Sequence, residues 1–372
     1  MKRALFFVLA IVLILVCGCA PAETPVETEA PTQPTTVPTQ PFTQPPVEER
    51  FNPLTGEKVE ALTNNRPYAV AIDNSKGAMP QHGVAQADIV YEMLIEGETR
   101  CMGVYYDMAS VTGSIGDIRS ARRDFIRVAM AYDAIFVHNG QSPRQGSQYD
   151  KYSAEVTFEE TGWEHIDGNS TGYKYFHFER QDTHESTHTM FIKPEKVLQA
   201  AEELGLTVTR SESLDVGLKF DEEAFFVGDS AKKIQVWFNL SQSTSEKWHK
   251  YTTLTYNEDT GLYEAYQKHS GYSGGETYVD GNTGETLTFR NVLVLHTPNE
   301  TLKNKNGWMK IDVTGEGTGY FACNGQMVAI KWSRPTESDP YTYTLENGTP
   351  ITLGVGKSYI AIVPMTGHID VE

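Results

Sequence analysis

Arginine recurs at 119, 122 and 123 around Ser120, where Phe125, Val128, Ala129 and Tyr132 begin a helical apolar period. Guanidinium forks match carboxylates and phosphates, and a helix start attracts anions through its unpaired amides. Cations at that end oppose the helix dipole, so something anionic must answer Arg119, Arg122 and nearby Arg100. One answer is internal: Glu92 and Glu96, expected on one strand face, or Asp117, which makes the set a structural ion-pair network. The other is an external anionic ligand held in a pocket. Glu92 and Glu96 also suit the acid and base of a hydrolase acting on cell-wall material.

His138 closes an apolar run and is followed by Asn139-Gly140-Gln141-Ser142-Pro143. Strand ends of open α/β sheets are where ligands bind, so His138 and Ser142 join the candidate site; a hydrogen-bonded structural histidine is the alternative. A serine nucleophile at Ser142 is disfavoured, because proline follows it and no partner acid is evident. His184-Glu185-Ser186-Thr187-His188 fits the zinc-peptidase pattern of two histidines four apart with an adjacent glutamate. Its hydroxyl-rich surroundings make a poor buried helix, and no third ligand is marked out. No metal or other cofactor is therefore expected; His184 and His188 are the alternative metal pair, and His188 also stands among the ligand-binding candidates. Trp237, Trp248, Trp308 and Trp332 suit either sugar stacking or a β core, the core being the commoner use.

The elements that must position these residues fall into two groups. Residues 67–73, 88–96, 101–106 and 134–138 read as strands, with a helix over 121–131 capped by Ser120. A second helix begins at Pro194 and stops at Gly205. Beyond about residue 219 come short runs rich in Val, Thr, Tyr and Phe, separated by turn signals such as Asn324-Gly325 and Asn347-Gly348. The expected fold is α+β: an N-terminal α/β domain over 51–210 followed by a mostly antiparallel β domain over 211–372.

Met1-Lys2-Arg3, an apolar run to Val16, and Val16-Cys17-Gly18-Cys19 form a lipoprotein signal peptide over 1–18, with Cys19 as the lipidated residue. Residues 19–50 are a tether rich in Pro and Thr, extended and unable to fill a core. The chain is thus expected outside the cytoplasm, anchored to the cell membrane. Its formal charge of −18, more negative still once Lys2 and Arg3 leave with the leader, excludes general affinity for nucleic acid. Cys101 and Cys323 remain, and either a disulfide or two buried thiols would suit an oxidising compartment.

Ala87-Asp88-Ile89-Val90-Tyr91-Glu92, Glu96-Gly97-Glu98-Thr99-Arg100, Gly116-Asp117-Ile118-Arg119-Ser120-Ala121-Arg122 and Asp133 to Pro143, with Gly325 to Trp332, Gly356-Lys357 and Ile360 to Pro364, resemble the YerB-like lipoproteins, domain-of-unknown-function family 3048. The resemblance spans nearly all the chain after the tether and implies a bacterial, membrane-anchored, two-domain protein; it brings no reaction with it. Two departures stand out: a double glycine before Thr-Arg is shortened to Gly97-Glu98, and an Ala-Pro-His-Asn segment appears as Ser186-Thr187-His188-Thr189. The expected function is a binding module for an anionic envelope ligand, whether wall glycan, peptide or partner protein. The cell-wall hydrolase is the alternative.

Overall fold

Several strands of this chain are buried on both faces, which removes the alternation that usually marks a strand. In the computed structural model, which describes residues 49–61, 64–170, 172–179, 188–210, 214–224, 226–238 and 245–372, this is so for β1 (Tyr68–Asp73), β2 (Ile89–Leu94) and β3 (Thr99–Tyr105). They belong to an eleven-stranded mixed sheet completed by β4 (Ile135–His138), β5 (His165–Asp167), β6 (Asp229–Ser230), β7 (Asn291–Thr297), β8 (Gly315–Cys323), β9 (Gln326–Arg334), β10 (Thr342–Thr344) and β11 (Ser358–Pro364). The order is β6-β9-β8-β7-β11-β2-β3-β1-β4-β5, with β10 paired to β9. β11 lies parallel to both neighbours, with Ala361 opposite Val294 on one side and Glu92 on the other.

That insertion differs from the expected split into an α/β domain and a separate β domain. A strand from the chain's last 15 residues joins the two halves into one sheet, and residues 48–372 form one compact unit. An apolar strand buried on both faces carries no mark of which neighbour it will take, so the sequence pattern leaves this pairing open.

A second sheet of six strands, including Lys233–Trp237, Tyr251–Asn257, Leu262–Lys268 and His368–Val371, has the order expected of consecutive hairpins through its centre. It packs against one face of the large sheet, where Glu92 meets Thr252 and Cys101 meets Tyr278. Helices cover the opposite face, where Tyr91 bonds Tyr132 hydroxyl to hydroxyl at 2.7 Å and Phe158 packs on Phe136. Those on this face are α1 (Arg123–Met130) and α2 (Ala154–Thr161), whereas α3 (Pro194–Glu203) lines a cavity with Tyr68 and Tyr106; among the described residues, none is long and apolar enough to cross a membrane. α3 starts at Pro194 as expected, but α1 begins later than the apolar period suggests. Its N-cap position is Arg122, without a side-chain cap, while the Ser120 hydroxyl donates to the Asn139 carbonyl. Asn324-Gly325 turns the β8–β9 hairpin, both residues having positive φ, as this dipeptide favours. Cys101 and Cys323 are separate, buried, free thiols. The signal peptide with Cys19, the tether up to residue 48, and the His184-Glu185 pair lie outside the described residues.

Candidate functional site

At the C-terminal end of β1 the chain leaves the sheet through Asp73-Asn74-Ser75, and three other stretches meet it there. One is the segment after the short strand Ile115–Gly116, which carries Asp117 and Arg119; another is His188, just before the strand Met190–Ile192. The third is the β2–β3 hairpin turn, closed by the Ile95 amide donating to the Glu98 carbonyl, with Gly97 supplying the positive φ. With Lys250, His269, Ser270 and Tyr272 they enclose a cleft of about 370 Å³, whose wall also includes Lys76, Arg119, His188 and Glu98.

Two buried charge networks form its floor. The Asp73 carboxylate accepts from Arg119 Nε at 2.6 Å, from His188 Nδ1 at 2.8 Å and from the Ser75 amide at 2.9 Å. Burial opposes its ionisation, but His188, Arg119 and Arg100 outweigh that and hold Asp73 well below the usual carboxylate range. The same hydrogen bond raises the His188 imidazole above its ordinary value. Asp117 Oδ1 accepts from the Met190 amide at 2.9 Å, and its Oδ2 lies 3.4 Å from His188 Nδ1.

The second network centres on Glu92, which has no solvent exposure. Asn74 Nδ2 (2.9 Å), Thr99 Oγ1 (2.7 Å) and Lys250 Nζ (2.9 Å) converge on Oε1; Thr252 Oγ1 (2.8 Å) and Tyr359 Oη (2.6 Å) donate to Oε2. Burial would raise this carboxyl, yet Lys250 and the hydroxyl donors bring it below the usual value. Lys250 is itself filled by Glu92, Thr252 and Gln267, so it gives the cleft positive field more than a free donor. Glu98 lines the cleft as its one carboxylate among the described residues. Burial, then the nearby Asp73 charge, pushes its pKa up.

The expected site residues thus separate. Arg119 and His188 reach the cleft. Glu92 lies beneath it and is saturated, which removes the free lone pairs an acid–base catalyst needs. Glu96 sits past the end of β2, not on a strand face with Glu92, and forms a two-pronged pair with Arg122 at 2.7 and 3.0 Å. Arg100 is buried, donates to the Ser120 carbonyl at 2.6 Å, and is lowered to about 10 by burial and Arg122. The internal answer to the arginines is therefore Glu96 for Arg122 and Asp73 for Arg119. Ser142 Oγ accepts from the Ala154 amide at the start of α2, and both His138 ring nitrogens have other partners, Gly140 and His165, so the described residues hold no Ser142–His138 pair. Of the tryptophans, Trp308 and Trp332 are core, whereas Trp248 is half exposed.

His138 is a structural histidine. Its Nδ1 donates to the Gly140 carbonyl at 2.7 Å, which leaves Nε2 to accept from His165 Nδ1 at 2.8 Å. Burial drives its pKa down from 6.5 to about 4, so in the folded protein it resists the proton that the unfolded chain takes up near its ordinary value. Stability is therefore expected to fall as pH drops from about 6.5 to 4, by roughly 1.4 kcal/mol per pH unit from this group. Asp88, raised to about 6 mainly by burial, acts in the opposite sense. Denaturant titrations at pH 7 and 4.5 should show a smaller acid loss in His138→Asn than in the native chain.

Asp73, Asn74, Lys76, Glu98, Lys250 and Tyr272 were not marked by motif spacing. Asp73 offered one signal, a carboxylate ending a strand of otherwise apolar residues; Lys250 offered none, since its role depends on the packing of two sheets.

With this geometry in view, comparisons place the chain among known sequences. Residues 54–207 match the N-terminal domain, and residues 242–360 the C-terminal domain, of the family described as protein of unknown function DUF3048. The chain is 26% identical over 314 residues to the putative lipoprotein YerB of Bacillus subtilis (strain 168), covering 84% of this chain and 86% of that one. The crystal structure of YerB protein from Bacillus subtilis superposes with a TM-score of 0.68 at 24% identity, covering 86% of this chain and 99% of that chain.

Proposed function

This chain belongs to the DUF3048 family, and from that premise we propose that it is an extracytoplasmic lipoprotein, anchored through Cys19, that binds a small anionic envelope ligand in the cleft beside Arg119. The observation that carries this reading is charge convergence. Lys76, Arg119, His188 and Lys250, from four separated stretches of chain, line one cleft whose single described carboxylate, Glu98, has its ionisation opposed by burial. Arg119, Lys250 and Lys76 are already paired with Asp73, Glu92 and Glu276, which lie outside the lining, but it is their cationic heads that face the recess, and such a lining favours carboxylate or phosphate groups. Ser75 Oγ, buried with no hydrogen-bond partner among the described residues, also lines it and is available to donate. The lipobox and the putative lipoprotein named among the relatives support the anchor. Acidic wall glycans, wall peptides or an acidic segment of an envelope protein are the ligands such a location offers.

The test is calorimetric titration of the purified chain in detergent with acidic glycan and peptide fragments released from cell wall. Binding is expected, and Arg119→Ala should weaken it at least tenfold, since a charge-assisted hydrogen bond is worth about 1.5–3 kcal/mol. Arg122→Ala, whose partner is Glu96, should bind like the native chain. Equal effects of the two variants would refute the cleft assignment, and release of cleavage products would favour hydrolysis.

A further inference from the structure

Asp117 poses a problem of charge that the anion cleft does not answer. Its Oδ2 is buried and accepts no hydrogen bond, and the residue is 1% exposed. Arg119 and Arg100 act on Asp73, and the His188 Nδ1 proton is directed to Asp73 Oδ2 at 2.8 Å, leaving Asp117 Oδ2 at 3.4 Å. Asp117 Oδ2 thus shares one imidazole with Asp73 and accepts no hydrogen bond from it.

We propose that Asp73, Asp117 and His188 are the protein ligands of a single divalent transition-metal ion at the floor of the cleft. Their donor atoms all lie within 4.8 Å of one another. Metal–ligand bonds of about 2.0–2.2 Å place neighbouring tetrahedral donors roughly 3.3–3.6 Å apart, close to the 2.8 and 3.4 Å separations already present between His188 Nδ1 and the two carboxylates. Both acids are held in the manner of metal ligands: the Ser75 amide fixes Asp73 Oδ1 and the Met190 amide fixes Asp117 Oδ1, turning each Oδ2 toward the imidazole. The ion takes the place of the Nδ1 proton and binds the neutral imidazole. Two carboxylates and one imidazole suit zinc, iron(II) or manganese(II). Arg119, bonded to the same Asp73 oxygen, competes for its charge and weakens the site. The site is distinct from the His184–His188 zinc-peptidase pattern, with which it shares one residue, and it does not depend on the cleft binding an anion.

The experiment uses the purified full chain, stripped of metal and equilibrated by dialysis with zinc and, separately, manganese(II), with bound metal measured by elemental analysis. Uptake of one equivalent of at least one ion is expected. Asp117→Asn should bind it at least tenfold more weakly while keeping the melting temperature of the metal-free native chain, because an amide keeps the carboxyl's shape and its acceptor for the Met190 amide without supplying an anionic metal ligand. His184→Ala should bind like the native chain. Substoichiometric uptake of both ions, or uptake that Asp117→Asn leaves intact, would overturn the proposal. So would uptake abolished by His184→Ala and not by Asp117→Asn.

Discussion

A fragment ending at Arg210 is expected not to fold, although it contains the whole of the N-terminal family match at residues 54–207. Without β11, β2 becomes an edge strand whose six residues are all buried in the intact protein. Long apolar edges of this kind promote aggregation. The fragment also loses Lys250, Thr252 and Tyr359, leaving the buried Glu92 with only Asn74 and Thr99. Circular dichroism and dye binding of residues 49–210 should show no cooperative melt and exposed apolar surface. A cooperative transition with native near-ultraviolet signal would overturn this expectation.

Replacing Glu92 by alanine should cost about 3–5 kcal/mol, the range for breaking a buried ion pair by removing one partner. The cost arises because Lys250, 2% exposed, keeps its charge and loses its counter-ion, while the Thr99, Thr252 and Tyr359 hydroxyls lose their acceptor. At about 2–4 °C per kcal/mol, the melting temperature should fall by roughly 6–20 °C. Lys250→Met alone should fall in the same range, by leaving the carboxylate unpaired. Glu92→Met with Lys250→Met should cost less than the two single changes summed, because neither charge is orphaned. Additive losses in that double-mutant cycle would show that the pair is not the coupling unit.

Local chemistry made part of this molecule legible. The apolar runs around Val70, Val90, Val137 and Ile360 became strands, Pro194 opened its helix, and Asn324-Gly325 made its hairpin. Ser120 did not cap α1, because the helix starts after Arg122, two residues beyond it, and the serine hydroxyl instead ties the segment to the Asn139 carbonyl. Tertiary contact overrode a local capping preference there. Arg119 and His188 were identified from residue type, but their partners Asp73 and Asp117 depend on where three segments cross. Glu92 looked like an available carboxylate because its strand alternation suggested an open face. A second sheet covers that face, and its lysine cannot be matched to a glutamate 158 positions earlier by periodicity.

The central place of β11 bears on the order in which the large sheet can assemble. Both of its neighbours, β7 and β2, wait for this strand, and its Tyr359 reaches Glu92 of β2 across 267 positions of chain. Pairing across so much intervening chain is slow, since loop closure must precede the contacts that reward it. Closure of the large sheet around β2 is therefore set by its longest-range pairing.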